Sequence, residues 1–64
     1  MGVRVSLKAL RVNKEMTQAE AAELVGVSVD KWASWEAKKT FPDVRDVMNI
    51  EKAFEVQYQD IVFL

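Results

Sequence analysis

Residues 17–36 read Thr-Gln-Ala-Glu-Ala-Ala-Glu-Leu-Val-Gly-Val-Ser-Val-Asp-Lys-Trp-Ala-Ser-Trp-Glu, two helix starts with a helix stop between them. Thr17 and, three positions on, Glu20 form a Thr-x-x-Glu capping box, whose hydroxyl and carboxylate satisfy two free amide donors at a helix start. A helix over Gln18–Val25 follows, with Ala21, Ala22 and Val25 inward; the alanines let a second helix axis approach closely. Gly26 ends it, because glycine accepts the left-handed conformation of a helix C-terminus. Only Val27 separates that glycine from Ser28, a second N-cap, so the next helix (about 28–37) leaves at a steep angle. Along it, Trp32 and Trp35 share one face with Val27, and Val29, Asp30, Ala33 and Ser34 share the other. The indoles read as core, not as platforms for stacked bases.

Working outward, Leu7 and Leu10 place an inward stripe on a first helix that ends near Asn13–Glu15. Lys38-Lys39-Thr40-Phe41-Pro42 breaks the periodicity, and Pro42-Asp43 starts a fourth helix with Val44, Val47, Ile50 and Phe54 as its core stripe. Val56, Tyr58 and Ile61 predict a final turn packed back on the domain, with Asp60 near its beginning. The expected fold is all-α, a compact bundle of four to five short helices around a helix-turn-helix, one domain over residues 1–64. A chain of this size buries only about 60% of the surface it exposes when unfolded, so its stability margin is thin.

The 64 residues include no cysteine and no histidine, which excludes thiol nucleophiles, zinc fingers and histidine-based triads. Glu20 and Glu23 read as solvated helix-surface acids, and no nucleophile–base or metal-ligand constellation stands at recognisable spacing. The expectation is a non-enzyme with no cofactor, metal or small-molecule substrate. The longest apolar run, Ile61–Leu64, is far below the ~20 residues of a membrane span. The N-terminus lacks the apolar core and cleavage site of a secretory signal, so an intracellular setting is expected.

A net charge of -1 argues against binding a polyanion, since the usual footprint is a basic domain. The charges are segregated, however. Arg4, Lys8, Arg11 and Lys14 occupy residues 1–14 without an acid, whereas Glu15, Glu20, Glu23 and Asp30 fill residues 15–30 without a base. Residues 31–42 turn basic again through Lys31, Lys38 and Lys39 against Glu36, and the remainder is acidic. Such segregation permits two basic patches on one face, which a net count does not register. An α-helix with a short-chained outer face fits the major groove when its flanks donate to phosphate, and the helix opening at Ser28 has that face.

The spaced set Thr17-Gln18, Glu20, Ala22, Gly26-Val27-Ser28 and Trp35-Glu36 resembles the Cro/cI-type helix-turn-helix DNA-binding proteins, the XRE family, from Leu7 to about Phe63. Lys39-Thr40-Phe41-Pro42-Asp43 and Ile50-Glu51-Lys52-Ala53-Phe54, with Val56, Tyr58, Asp60-Ile61 and Phe63, look like small phage-encoded members. The chain departs from the pattern at Glu15 and Lys38, where the family usually has glycine; each then needs positive φ, at some cost in stability. The resemblance implies a lambda-repressor-like domain and a sequence-specific transcriptional regulator of repressor or Cro type. Such a protein acts in the cytoplasm of a bacterium, on the nucleoid when bound, and reads double-stranded operator DNA with its third helix.

By that resemblance Ser28, Val29, Asp30 and Ser34 face bases, with Lys31 and Ala33 beside them. Serine donates or accepts, valine suits a thymine methyl, and aspartate accepts from a cytosine amino group. The resemblance also places Thr17, Gln18, Lys31, Lys38, Lys39 and Thr40 at the phosphate backbone. It makes Arg11 and Glu36 a pair that orients the arginine; read as exposed, such a pair contributes roughly 0–1 kcal/mol and serves positioning. A homodimer is implied, as the family usually binds two-fold sites. Tyr58, Ile61, Val62, Phe63 and Leu64 either form the dimer surface or close the core. The acidic balance and Asp30 keep open a second reading, a protein-interaction module on the same fold that has lost DNA binding.

Overall fold

The computed structural model describes residues 4–63. A side-chain cap opens each helix: Ser6 before α1 (Leu7–Asn13), Thr17 before α2 (Gln18–Val25), Ser28 before α3 (Val29–Glu36) and Asp43 before α4 (Val44–Phe54). At Thr17 and Asp43 the cap is reciprocal, because Glu20 and Asp46 accept from the cap's own amide. Each cap satisfies donors that the first helical turn leaves free. Thr17, Ser28 and Asp43 stand where the sequence places them.

The helix ends share a second device. The residues that turn the chain out of α1, α2, α3 and α4 are Glu15 (φ 56°), Gly26 (φ 92°), Lys38 (φ 62°) and Glu55 (φ 53°), all left-handed. After α1 the amides of Glu15 and Met16 donate to the carbonyls of Val12 and Arg11 at 2.9 and 3.1 Å. After α3 those of Lys38 and Lys39 donate to Trp35 and Ser34 at 3.1 and 3.0 Å. Both are the two-bond closure that a left-handed residue makes possible. Glu15 and Lys38 thus carry the strain expected of them, and Glu55 adds a third such position with no signal in the sequence.

The buried set is Leu7, Leu10, Ala21, Ala22, Val25, Trp32, Trp35, Ile50, Phe54 and Ile61. The alanines of α2 seat it closely on α3. Trp32 meets Trp35 edge-on at 5.9 Å and stacks on Phe54 at 5.8 Å, joining α3 to α4. Each aromatic pair adds about 0.5–1.5 kcal/mol beyond its buried area.

One expectation is corrected. Val44 is not part of the α4 stripe: it is 79% exposed, while Asp46, Ile50 and Phe54 are buried and Val47 is half-buried. At about 100° per residue Val44 points roughly 160° away from Asp46, so the apolar face begins after it. Of the two alternatives open for Ile61, the structure has the core: the residue is 2% exposed and packs back on the domain as the sequence predicts. It lies in β2 (Ile61–Val62), which pairs in parallel with β1 (Val5–Ser6), Val5 opposite Ile61 and Ser6 opposite Val62. This ribbon follows a 3₁₀ turn over Tyr58–Asp60 and ties the start of the fold to its end. The all-α architecture therefore carries one short parallel ribbon that the sequence reading does not include. Val62 and Phe63 are half-buried, and Tyr58 is exposed and stacked on Phe63 at 5.6 Å. Leu64 lies outside the described residues.

A left-handed residue with a Cβ is strained by about 1–2 kcal/mol, part of which glycine returns through its freer unfolded chain. Glu15→Gly and Lys38→Gly should each raise stability by about 0.5–1 kcal/mol. Gly26→Ala should lower it by about 1 kcal/mol through backbone strain alone, since an added Cβ there meets nothing within 4 Å. Urea denaturation followed by tryptophan fluorescence measures all three; destabilisation by both glycine substitutions would contradict the strain assignment.

Candidate nucleic-acid interface

The last residue of α3 fixes how the helix-turn-helix is held. The Glu36 carboxylate accepts from Arg11 Nε at 2.6 Å and Nη2 at 3.1 Å, from Gln18 Nε2 at 3.2 Å, and from the indole N–H of Trp32. Arg11 Nη1 donates onward to the Met16 carbonyl at 2.9 Å. One carboxylate therefore joins α1, α2 and α3. The side chains of Arg11 and Glu36 are 14% and 6% exposed, so the expectation of an exposed pair of little energetic weight is corrected. The helix ends converge on the pair and exclude water from it, a tertiary effect that residue spacing does not reveal.

Around this joint the outer face of α3 is built from its first turn. Ser28, Val29 and Asp30 are exposed, while Trp32 and Trp35 lie beneath. The Ser28 hydroxyl accepts from the Lys31 amide at 3.1 Å, so its cap role occupies one of its lone pairs. Ser34 is half-buried and its hydroxyl is hydrogen-bonded to that of Thr40 at 2.9 Å. Lys38, Lys39 and Thr40 form an exposed loop after the helix.

At the start of α2, Thr17 Oγ1 accepts from the Glu20 amide at 3.1 Å, and Gln18 spends one amide hydrogen on Glu36 while keeping another. Lys31 is drawn the other way. Its Nζ lies 3.4 Å from Asp46 Oδ2 and 5.7 Å from the centre of the Trp35 ring, toward α4. The sequence reading did not include Asp46 as this lysine's partner or Trp32 as a donor to Glu36. The second had a signal in the four-residue spacing of the two side chains on α3. The first depends on how α3 and α4 pack.

Burial pushes the Glu36 carboxyl up, but the hydrogen bonds from Arg11, Gln18 and Trp32 together with the Arg11 charge outweigh it and hold the group below its ordinary value of 4.5. A carboxyl that titrates lower when folded than when unfolded stabilises the fold above the unfolded value. That contribution is lost as pH falls through the folded value. Stability should hold near neutrality and decline progressively below about pH 4.5. Glu36→Gln should flatten this acid limb and cost about 3 kcal/mol at neutral pH, because Arg11 is left without its counter-charge. Denaturation midpoints measured from pH 7 to 3 check both; an acid limb unchanged in Glu36→Gln would contradict the assignment.

Among the described residues no helix is long and apolar enough to cross a membrane. A family model described as a helix-turn-helix domain matches residues 4–60, which takes in all four helices and the 3₁₀ turn. No curated protein and no solved structure matches the chain.

Proposed function

The chain belongs to the helix-turn-helix domain family, and from that membership we propose that it is a sequence-specific, non-enzymatic regulator of transcription that reads operator DNA through the major groove with α3. The observation that carries this reading is the exposed, short-chained first turn of α3, set above two buried indoles and held in orientation by the Glu36 joint. A helix so presented can approach base edges while its neighbours contact phosphate. Likeness to small phage-encoded repressors and Cro-type regulators gives the finer class.

Within this proposal Ser28, Val29, Asp30 and Ser34 face the bases. Thr17, Gln18, Lys38, Lys39 and Thr40 face the backbone, with the free amides at the start of α2 adding donors. Lys31, engaged by Asp46, contributes at the edge of the site. Arg11 acts through its position at the joint. Asp30 accepts from a cytosine amino group and repels phosphate, which suits rejecting wrong sequences better than adding affinity.

Selection of bound duplexes from a random pool should return one motif with two-fold symmetry. Lys39→Ala should weaken binding to every duplex and flatten its salt dependence, whereas Ser34→Ala or Asp30→Ala should change preference at one base pair. No retention of any duplex at low salt would refute the proposal. Retention of a protein partner instead, insensitive to salt and to Gln18→Ala, would favour the interaction-module reading.

The proposed functional unit is a homodimer, since one small module reads few base pairs and two-fold sites match two-fold proteins. With Ile61 committed to the core, its surface centres on exposed Tyr58, beside Phe41, Pro42, Val47 and Phe63, with which Tyr58 lines one shallow cavity. Tyr58→Glu should shift sedimentation equilibrium toward monomer and weaken binding to two-fold sites more than to half-sites. An unchanged association constant would exclude this surface.

A further inference from the structure

We infer that Thr40 is a positioning residue that sets base preference through Ser34, by holding the serine hydroxyl so that it meets a base edge in one fixed orientation. The inference rests on the reading of α3 as the base-reading helix and adds to it the residue that fixes how Ser34 presents its hydroxyl.

The chain leaves α3 through left-handed Lys38, and that turn folds the next two residues back over the same serine. The Lys39 amide donates to the Ser34 carbonyl at 3.0 Å, and the Thr40 and Ser34 hydroxyls are hydrogen-bonded to each other at 2.9 Å. Ser34 is thus held from the loop by backbone and side chain together. A serine hydroxyl has one proton and two lone pairs, and alone it serves acceptors and donors equally. With one of these engaged by Thr40, the rotor is no longer free to present either character at no cost.

The consequence is selective. In the major groove, guanine N7 and O6, adenine N7 and thymine O4 are acceptors, while the amino groups of adenine and cytosine are donors. Ser34 held by Thr40 meets one set at lower cost than the other, and the base pair at which Ser34→Ala alters preference reports which. In the proposed interface the same exposed threonine also faces the DNA backbone, and its two roles separate by experiment.

The test uses the full chain with duplexes that vary at one base pair, the position where Ser34→Ala alters preference. Thr40→Val removes the hydroxyl and keeps the shape; Thr40→Ser keeps the hydroxyl. Fluorescence titration of the unmodified protein, both Thr40 variants, Ser34→Ala and the Ser34→Ala/Thr40→Val double variant gives a cycle, and tryptophan fluorescence confirms that each is folded. Thr40→Val should reduce discrimination at that pair roughly three- to tenfold, the range of one hydrogen bond. Thr40→Ser should retain it, and Thr40→Val should cost no further discrimination in the Ser34→Ala background.

Equal weakening of all duplexes by Thr40→Val, with the same loss in both backgrounds, would reduce Thr40 to a backbone contact and overturn the inference while leaving the DNA-reading role intact. Ser34→Ala with unchanged preference at every position would overturn it as well. Failure of the unmodified protein to bind any duplex would remove the parent reading and the inference with it.

Discussion

The Glu36 carboxylate is the constraint on which the geometry of this protein depends. It sits at the end of α3, where side chains of α1, α2 and α3 reach a common point, and accepts from all three. A buried carboxylate with one partner is a weak device, because desolvation offsets most of the attraction. Here Arg11 is bidentate, an amide and an indole fill further lone pairs of the carboxylate, and another N–H of the arginine donates to the Met16 carbonyl, so the carboxylate's acceptor capacity is well matched. The joint fixes the angle between α2 and α3, which apolar contact between alanines and indoles would leave less determined.

That angle matters because the helices are short. α1, α2 and α3 have seven, eight and eight residues, too few to be stable as isolated helices, and each survives through its cap and its packing. The chain closes them with left-handed residues, only one of which, Gly26, is a glycine. Glu15 and Lys38 accept strain at the two turns that flank the helix-turn-helix. At Lys38 the strained turn also returns Thr40 to Ser34, so the position that weakens the fold shapes its outer surface. A residue with a Cβ at such a turn is consistent with a site whose local geometry counts for more than its stability.

The legible parts of the fold are those written in local pattern. Thr17 with Glu20, Gly26 and Ser28 specify two helix boundaries within a few residues, and the three-residue spacing of Trp32 and Trp35 specifies which face is core. Val44 misleads because an apolar residue at the first helical position fits the stripe by count, though its direction is opposite. The β1–β2 ribbon has two residues per strand, below the length at which alternation becomes a signal, so Ile61 gave no sign of being committed to a pairing with Val5. The Arg11–Glu36 pair is implied by the family resemblance but its burial is not, and the partners of Lys31 and Ser34 depend on contacts between elements that no spacing encodes.

The electrostatic arrangement follows from the same contacts. A chain with net charge -1 has little long-range attraction for a polyanion, and two of its cations are taken internally, Arg11 by Glu36 and Lys31 by Asp46. Lys38 and Lys39 stay exposed in the loop that follows α3. For the proposed role this shifts the balance between the two contributions to binding: backbone attraction, which ignores sequence and decays with salt, is small, and contacts to base edges carry a larger share. Such a protein gains little from sliding on arbitrary DNA and depends on a well-held reading helix. The four-donor Glu36 joint at one end of α3 and the Thr40–Ser34 hydrogen bond beside it are therefore parts of one solution, in which fixed geometry does what positive charge does in a basic domain.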